Sequence, residues 1–290
     1  MSKQKLAILL ALLSTLLWST VATSFKISLK QLNPENLVLY STLISLFIFT
    51  IILVKNRRFN SIKNLGKKDI LYSIISGFLN PFLYYLVLFK TYSLLPAQVA
   101  QPLNYTWPII LIIFSSIIFK EKLKRKDFLS FCLSLVGISL VSSNSFSNID
   151  INGLGVILGV LSAVIWALYW VINRVDSREN DIKLFLNFLF GSIFILIYNF
   201  LFVPIQIPNM VGILSTIYVG LFEMGITFYL WANALKYANK AATISLIVYL
   251  SPFLSLIFIS IFLKETITIT TIIGLILIVS SILYNKLAGK

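Results

Sequence analysis

The stretch ENLVLYSTLISLFIFTIILV, residues 35–54, carries one charge at its first residue and none after it. A helix of that length covers the hydrocarbon thickness of a bilayer. Similar runs recur along the whole chain. Cutting at charges and turn residues gives ten spans: 6–25, 35–54, 70–89, 96–119, 127–144, 153–173, 183–203, 210–235, 241–263 and 267–285. Within lipid a single segment satisfies its backbone only as a helix, and continuous hydrophobicity lacks the alternation of a barrel strand. The chain is 58% hydrophobic and 12% charged, about half the charge of a soluble domain. The expected fold class is an all-α polytopic membrane protein of ten transmembrane helices.

Charge placement orients those helices. With the N-terminus in the cytoplasm, 20 of the 24 lysines and arginines fall on the cytoplasmic face, and only Lys26, Lys30, Lys90 and Lys264 fall on the other. This bias predicts cytoplasmic N- and C-termini in a multi-pass protein of the cytoplasmic (inner) membrane. It also accounts for the net charge of +14 through short membrane-end loops, so no nucleic-acid partner is expected. The first span could be taken for a signal peptide, but LSTLLW (Leu13 to Trp18) is echoed by LSAVIW (Leu161 to Trp166), which marks it as a retained helix.

A second echo is longer. NYTWPIILIIFSSIIFKE (Asn104 to Glu121) and VYLSPFLSLIFISIFLKE (Val248 to Glu265) align at a constant spacing of 144, each with tyrosine, proline three residues on, and a closing Lys-Glu. The chain therefore divides into five-helix repeats, 1–145 and 146–290. An odd number of spans makes the second repeat enter the membrane from the opposite side, giving two inverted repeats around a central cavity. Secondary transporters are commonly built so, with the substrate near the midplane between repeats.

Ten spans, two five-helix halves, Trp18 in the first span, and Pro108 to Glu121 echoed by Pro252 to Glu265 resemble the ten-helix EamA-type transporters of the drug/metabolite transporter superfamily. The resemblance implies proton- or exchange-driven movement of small metabolites, most often export. LNYTWP (Leu103 to Pro108) is also similar to a stretch of the aromatic amino acid exporters in that superfamily. The small multidrug-resistance relatives carry a glutamate in their first span, which spans one and six here lack.

Of ten carboxylates only Glu223 sits near the middle of a span. A carboxylate at that depth costs roughly 2.5–3.5 kcal/mol on insertion scales, so it should face a cavity or a partner. Glu223 is the candidate for proton coupling or for binding a substrate amine; the structural alternative is a protonated acid bonded to a neighbouring helix. Glu223, Thr227 and Trp231 share a helix face, as do Asn80 with Tyr84, and Gln98, Gln101 and Tyr105 with Asn104 adjacent. Trp166, Tyr169, Trp170 and Asn173 form a further stripe, and Ser245 with Tyr249 another. With Trp107 these rings and amides are expected to line the cavity, while interfacial belts and helix packing are the competing roles. Pro102, Pro108 and Pro252 mark helix kinks. Glu121 and Glu265, at the water interface, are expected to be structural, and Gly153, Gly155 and Gly159 to permit close helix approach.

The functional expectation is a secondary active transporter of amino acids or related amphipathic and aromatic solutes, working as an exporter by alternating access. Its partners would be a small-molecule substrate, the lipid bilayer and protons, and it would act as a monomer or weak dimer. The alternatives are a proton-coupled multidrug exporter or a membrane enzyme acting on lipid-linked substrates. An enzyme would need a metal or base cluster; histidine is absent and no second acid shares the depth of Glu223, so no enzymatic activity, cofactor or metal is expected.

Overall fold

The computed structural model describes residues 2–120, 125–141, 151–239 and 247–287. Glu121, Ser245, the ends of the fifth and ninth spans and the junction at 145–146 lie outside the described residues. Among those described there are ten apolar helical stretches and no strand. They are α1 (Lys3–Leu29), α2 (Pro34–Lys55), α3 (Lys67–Leu94), α4 (Ala97–Phe119), α5 (Arg125–Val141), α6 (Gly153–Val175), α7 (Asn180–Phe202), α8 (Met210–Tyr237), α9 (Val248–Leu263) and α10 (Ile269–Leu287). Seven of them are long and apolar enough to cross a membrane by themselves, and α5, α9 and α10 are shorter.

Polar residues set the helix starts. Asn33, Asn152 and Asn209 each accept an N–H from the first turn of α2, α6 and α8, and Pro34 fills the first position of α2, where its missing N–H costs nothing. Bulky apolar side chains including Phe47, Val54, Phe128, Phe200 and Ile257 point out of the bundle. Such a surface would drive association in water, and its natural solvent is lipid. The protein is a polytopic helical membrane protein.

The packing is reciprocal. Helix α1 lies against α8 and α9, while α6 lies against α3 and α4; α2 packs on α7 and α8, and α7 on α2 and α3. Each half thus buries its first two helices against the other half. Helices α5 and α10 form a separate pair in which Gly137 and Gly274 meet so closely that a Cβ on either would strike the other's carbonyl oxygen at 2.8 and 2.7 Å. Ser134 and Ser281 hydrogen-bond across the same seam at 2.7 Å. Gly155 and Gly159 likewise admit Leu95 and Leu103, whereas Gly153 faces open space, so close approach does not explain it.

Candidate functional site

Four helices are interrupted at bilayer depth. Helix α3 passes through a π-helical turn at Phe78–Leu83, where Asn80 is extended (φ −146°, ψ 118°), and α8 has its counterpart at Gly220–Gly225. Single π-turns inside α-helices frequently mark functional positions. Helix α4 breaks at Tyr105–Thr106, after which Pro108 opens a new helical segment. Helix α9 repeats the arrangement, its short 3-10 turn Val248–Leu250 giving way to a segment opened by Pro252. Pro102 stands within the segment before the α4 break. Both repeated elements end on a lysine in the left-handed conformation, Lys120 (φ 55°) and Lys264 (φ 56°). The doubled sequence element is therefore a broken helix with a fixed stop.

The breaks of α4, α8 and α9 line a cavity of about 400 Å³, within the roughly 300–1,000 Å³ of small-molecule sites. Of the residues expected to line it, Tyr84, Gln101, Asn104, Tyr105, Trp107, Trp166, Glu223, Trp231 and Tyr249 do so, together with Pro108. Rings dominate its walls: Tyr84 stacks on Trp166 at 4.5 Å, Trp166 on Tyr169 at 5.3 Å, and Trp18 lies 5.4 Å from Trp231. Asn104 accepts from the Tyr84 hydroxyl at 3.2 Å and donates to Ser162 at 2.9 Å.

Glu223 accepts from the Tyr85 hydroxyl through Oε1 at 3.0 Å, while its buried Oε2 has no protein partner. The buried Gln101 Oε1 and Trp170 Nε1 are likewise unpartnered in the cavity wall. Buried polar atoms without a protein partner recur through the bundle, and these three belong to residues that line the cavity, where a polar solute would supply partners.

Five of the expected residues lie elsewhere, Asn173 among them at the Tyr169 hydroxyl. Asn80 is fully buried behind the wall and Thr227 bonds back to the Phe222 carbonyl within the α8 break. Tyr169, beyond Trp166, has its hydroxyl among the amides of Asn80, Asn173 and Asn187. Gln98 is committed to the start of α10, donating to the Thr266 carbonyl at 2.8 Å and accepting from Thr268 N at 3.1 Å. Conversely, sequence reasoning missed Phe25, Tyr92, Phe228 and Tyr85. Tyr92 continues the Tyr84–Leu88 row at i+4, and Phe25 continues Trp18 and Val21 at i+7, so helical periodicity could have found both.

Beyond the Phe25 and Tyr92 end, the cavity is capped by polar bonds. Glu265 accepts from the N–H groups of Ala97 and Gln98 at 2.9 and 3.1 Å, capping α4, and Lys26 donates to the Tyr92 and Leu95 carbonyls at 2.8 and 3.0 Å. At the other end a smaller cavity of about 190 Å³ shares Trp170, Phe228, Trp231 and Leu235 with the first and reaches the half-exposed Lys236. Loop ions surround that end: Arg58 pairs with Glu179 at 3.1 Å and Asp181 at 3.0 Å, and Arg178 grips both oxygens of Asp176 at 2.9 and 2.6 Å. Burial pushes the Asp176 carboxyl up, but Arg178 more than offsets this and holds it below its ordinary range.

A lipid-facing helical bundle of broken helices, closed around an aromatic cavity with one acid, is a multi-pass transport protein in its architecture. The sequence profile of the EamA-like transporter family matches residues 5–143 and 153–286. The chain belongs to the EamA-like transporter family. It is 25% identical over 283 residues to "Uncharacterized transporter YoaV" of Bacillus subtilis, covering 93% of each chain. An "Uncharacterized transporter" of Clostridium kluyveri is 25% identical over 293 residues, covering 96% of this chain and 92% of its own. The match to a Helicobacter pylori transporter, 28% identical, covers 51% of this chain and spans about half, 48%, of that relative's length. A solved crystal structure shares the fold with a TM-score of 0.69 at 20% identity, over 98% of both chains.

Proposed function

We propose that the protein is a secondary transporter that moves small amphipathic or aromatic solutes, such as amino acids, out of the cell by alternating access between repeats 1–145 and 146–290. The observation that carries this reading is Glu223. Glu223 lines an aromatic cavity built from both halves, with one carboxyl oxygen held by Tyr85 and the other buried without a protein partner. A carboxyl so placed either carries the coupled proton or receives a substrate amine. The geometry leaves one end closed by Lys26 and Glu265 while the other borders a second cavity, the asymmetry expected of one state in an alternating cycle.

The deciding measurement is uptake of radiolabelled amino acids and nucleosides into everted vesicles, with and without a pH gradient. A cavity transporter moves at least one of them, and Trp166→Ala reduces that movement a few- to tenfold, as loss of an aromatic contact of about 0.5–1.5 kcal/mol dictates. No movement of any solute by a well-expressed protein would overturn the reading. Orientation is tested separately. In a Cys132→Ser background, a cysteine at Asn64 should label only from the cytoplasm and one at Ile207 only from outside.

A further inference from the structure

The smaller cavity holds a side chain that the transport reading above does not use. Lys183 lines it together with Tyr169, Asn173, Asn180, Trp170 and Lys236, and it is only 6% exposed. It sits one turn inside the N-terminus of α7 (Asn180–Phe202), where the helix field opposes a cation. A buried ammonium ordinarily has an acid beside it, yet no carboxylate among the described residues lies within 4 Å of Lys183. The nearby Asp176 presents its backbone carbonyl instead, at 3.1 Å, because Arg178 occupies both carboxylate oxygens. The Asn173 Oδ1 takes a second proton at 3.4 Å, which leaves one N–H of the ammonium free.

A second donor stands in the same wall. Trp170 Nε1 is buried without an acceptor, and Trp170 belongs to both cavities. No acidic side chain lines the smaller cavity, and its other cation, Lys236, is half exposed and already engaged with Glu179 at 3.4 Å. One buried positive charge with a neighbouring N–H donor matches a single negative charge.

We infer that the smaller cavity is an anion subsite that receives the carboxylate of the transported solute on Lys183 and Trp170 while its apolar body lies among the rings of the main cavity. This rests on the transporter reading and narrows its substrates to organic monocarboxylates. Placing a carboxylate there would satisfy both donors, offset the α7 field and give Lys183 the contacting carboxylate that Asp176 and Glu179 do not provide.

The test uses the full-length protein in nanodiscs and three probes: phenylalanine, phenethylamine, which lacks the carboxylate, and benzoate, which lacks the amine. Binding is followed by calorimetry. Phenylalanine should bind about tenfold or more tightly than phenethylamine, as expected for a charge-assisted bond. Lys183→Met should abolish that ratio, and Trp170→Phe should reduce it a few-fold. If Lys183→Met does not purify as a single species, the wild-type ratio and Trp170→Phe decide. Equal affinities for phenylalanine and phenethylamine, or a ratio unchanged in Lys183→Met, would overturn the subsite. Binding of phenethylamine with no binding of phenylalanine or benzoate would remove the subsite and leave the transporter reading intact. Failure of all three probes to bind would count against both.

Discussion

Asn80 in α3 and Glu223 in α8 hold equivalent places, 143 residues apart, each in a π-helical turn of the third helix of its half. Gly77 just before the first turn and Gly220 at the start of the second let each helix press against the second helix of the other half. A Cβ on Gly77 would lie 2.5 Å from the Asn187 carbonyl oxygen in α7, and one on Gly220 would lie 2.7 Å from Ile44 in α2. Beyond that point the copies diverge. Asn80 is followed by Pro81, whose ring packs on Gly191, and its amide stays behind the cavity wall near Tyr169. Glu223 turns its carboxyl into the cavity. Two halves can share a backbone device while only one of them carries the acid. Both halves carry the break, and Glu223 gives the acid to one of them.

Exchanging the side chains at these two turns gives the largest expected effect. Glu223→Gln keeps the shape and the bond from Tyr85 but fixes the neutral form. If Glu223 carries the proton, gradient-driven accumulation in vesicles falls by tenfold or more, while solute exchange persists. If it binds an amine, solute affinity itself falls by that factor, and the two outcomes separate its roles. Asn80→Ala should act differently. It leaves the pH dependence of transport unchanged and lowers thermal stability through the space left by a buried side chain, by about 1 kcal/mol. Wild-type gradient-driven transport by Glu223→Gln would return Glu223 to a structural role and make the two turns equivalent after all.

The shared part of the comparison is tested by the glycines. Gly77→Ala meets backbone on α7, which cannot swing away, at 2.5 Å from Asn187 O and 2.9 Å from Gly191 N. Gly220→Ala meets the Ile44 side chain first, at 2.7 Å, with the Ser41 carbonyl at 3.0 Å. Overpacking of this kind costs about 1–3 kcal/mol, so both variants should melt earlier, and Gly77→Ala should melt earlier than Gly220→Ala. A reversed order would mean that α3 shifts on α7 more easily than the reciprocal packing implies.

How much of this was legible in the sequence follows from which forces leave a local trace. The ten spans are written in hydrophobicity, charges and turn residues, and the described helix ends fall within a few residues of them; the end of the fifth span and the start of the ninth lie outside the described residues. Lys120 and Lys264 could be seen as a repeated stop, although their left-handed geometry could not. Glu223 stood out because an acid at bilayer depth is costly wherever it lies. Gln98 was misassigned to the cavity for a physical reason: an amide one turn from a helix start serves equally well as a loop clamp, and its actual partners, Thr266 and Thr268, are some 170 residues away. The same limit hid the role of Glu265 as the cap of α4, which joins the two halves through 168 residues of chain. The seat of Lys183 in the smaller cavity was also invisible, since in sequence it is one of several basic residues at a membrane end. Helical periodicity assigns a face, and only the tertiary fold says what that face meets.

The smallest effect concerns the one hydrogen bond, among the described residues, by which the first half holds the acid of the second. The Tyr85 hydroxyl donates to Glu223 Oε1 at 3.0 Å from a fully buried ring packed on Tyr84 and Phe89. Tyr85→Phe removes the oxygen and keeps the ring, so packing is preserved and only the hydrogen bond is lost. A bond of this kind contributes about 0.5–1.5 kcal/mol, more when the acceptor is charged, which converts to a two- to tenfold change. That change should appear in the pH at which transport is half-maximal. Asn80 in α3 has no such contact with the acid, and Asn80→Ala should leave the profile in place. If Tyr85→Phe also leaves the pH profile unmoved, Glu223 does not set it, and the difference between the two π-helical turns is one of packing alone.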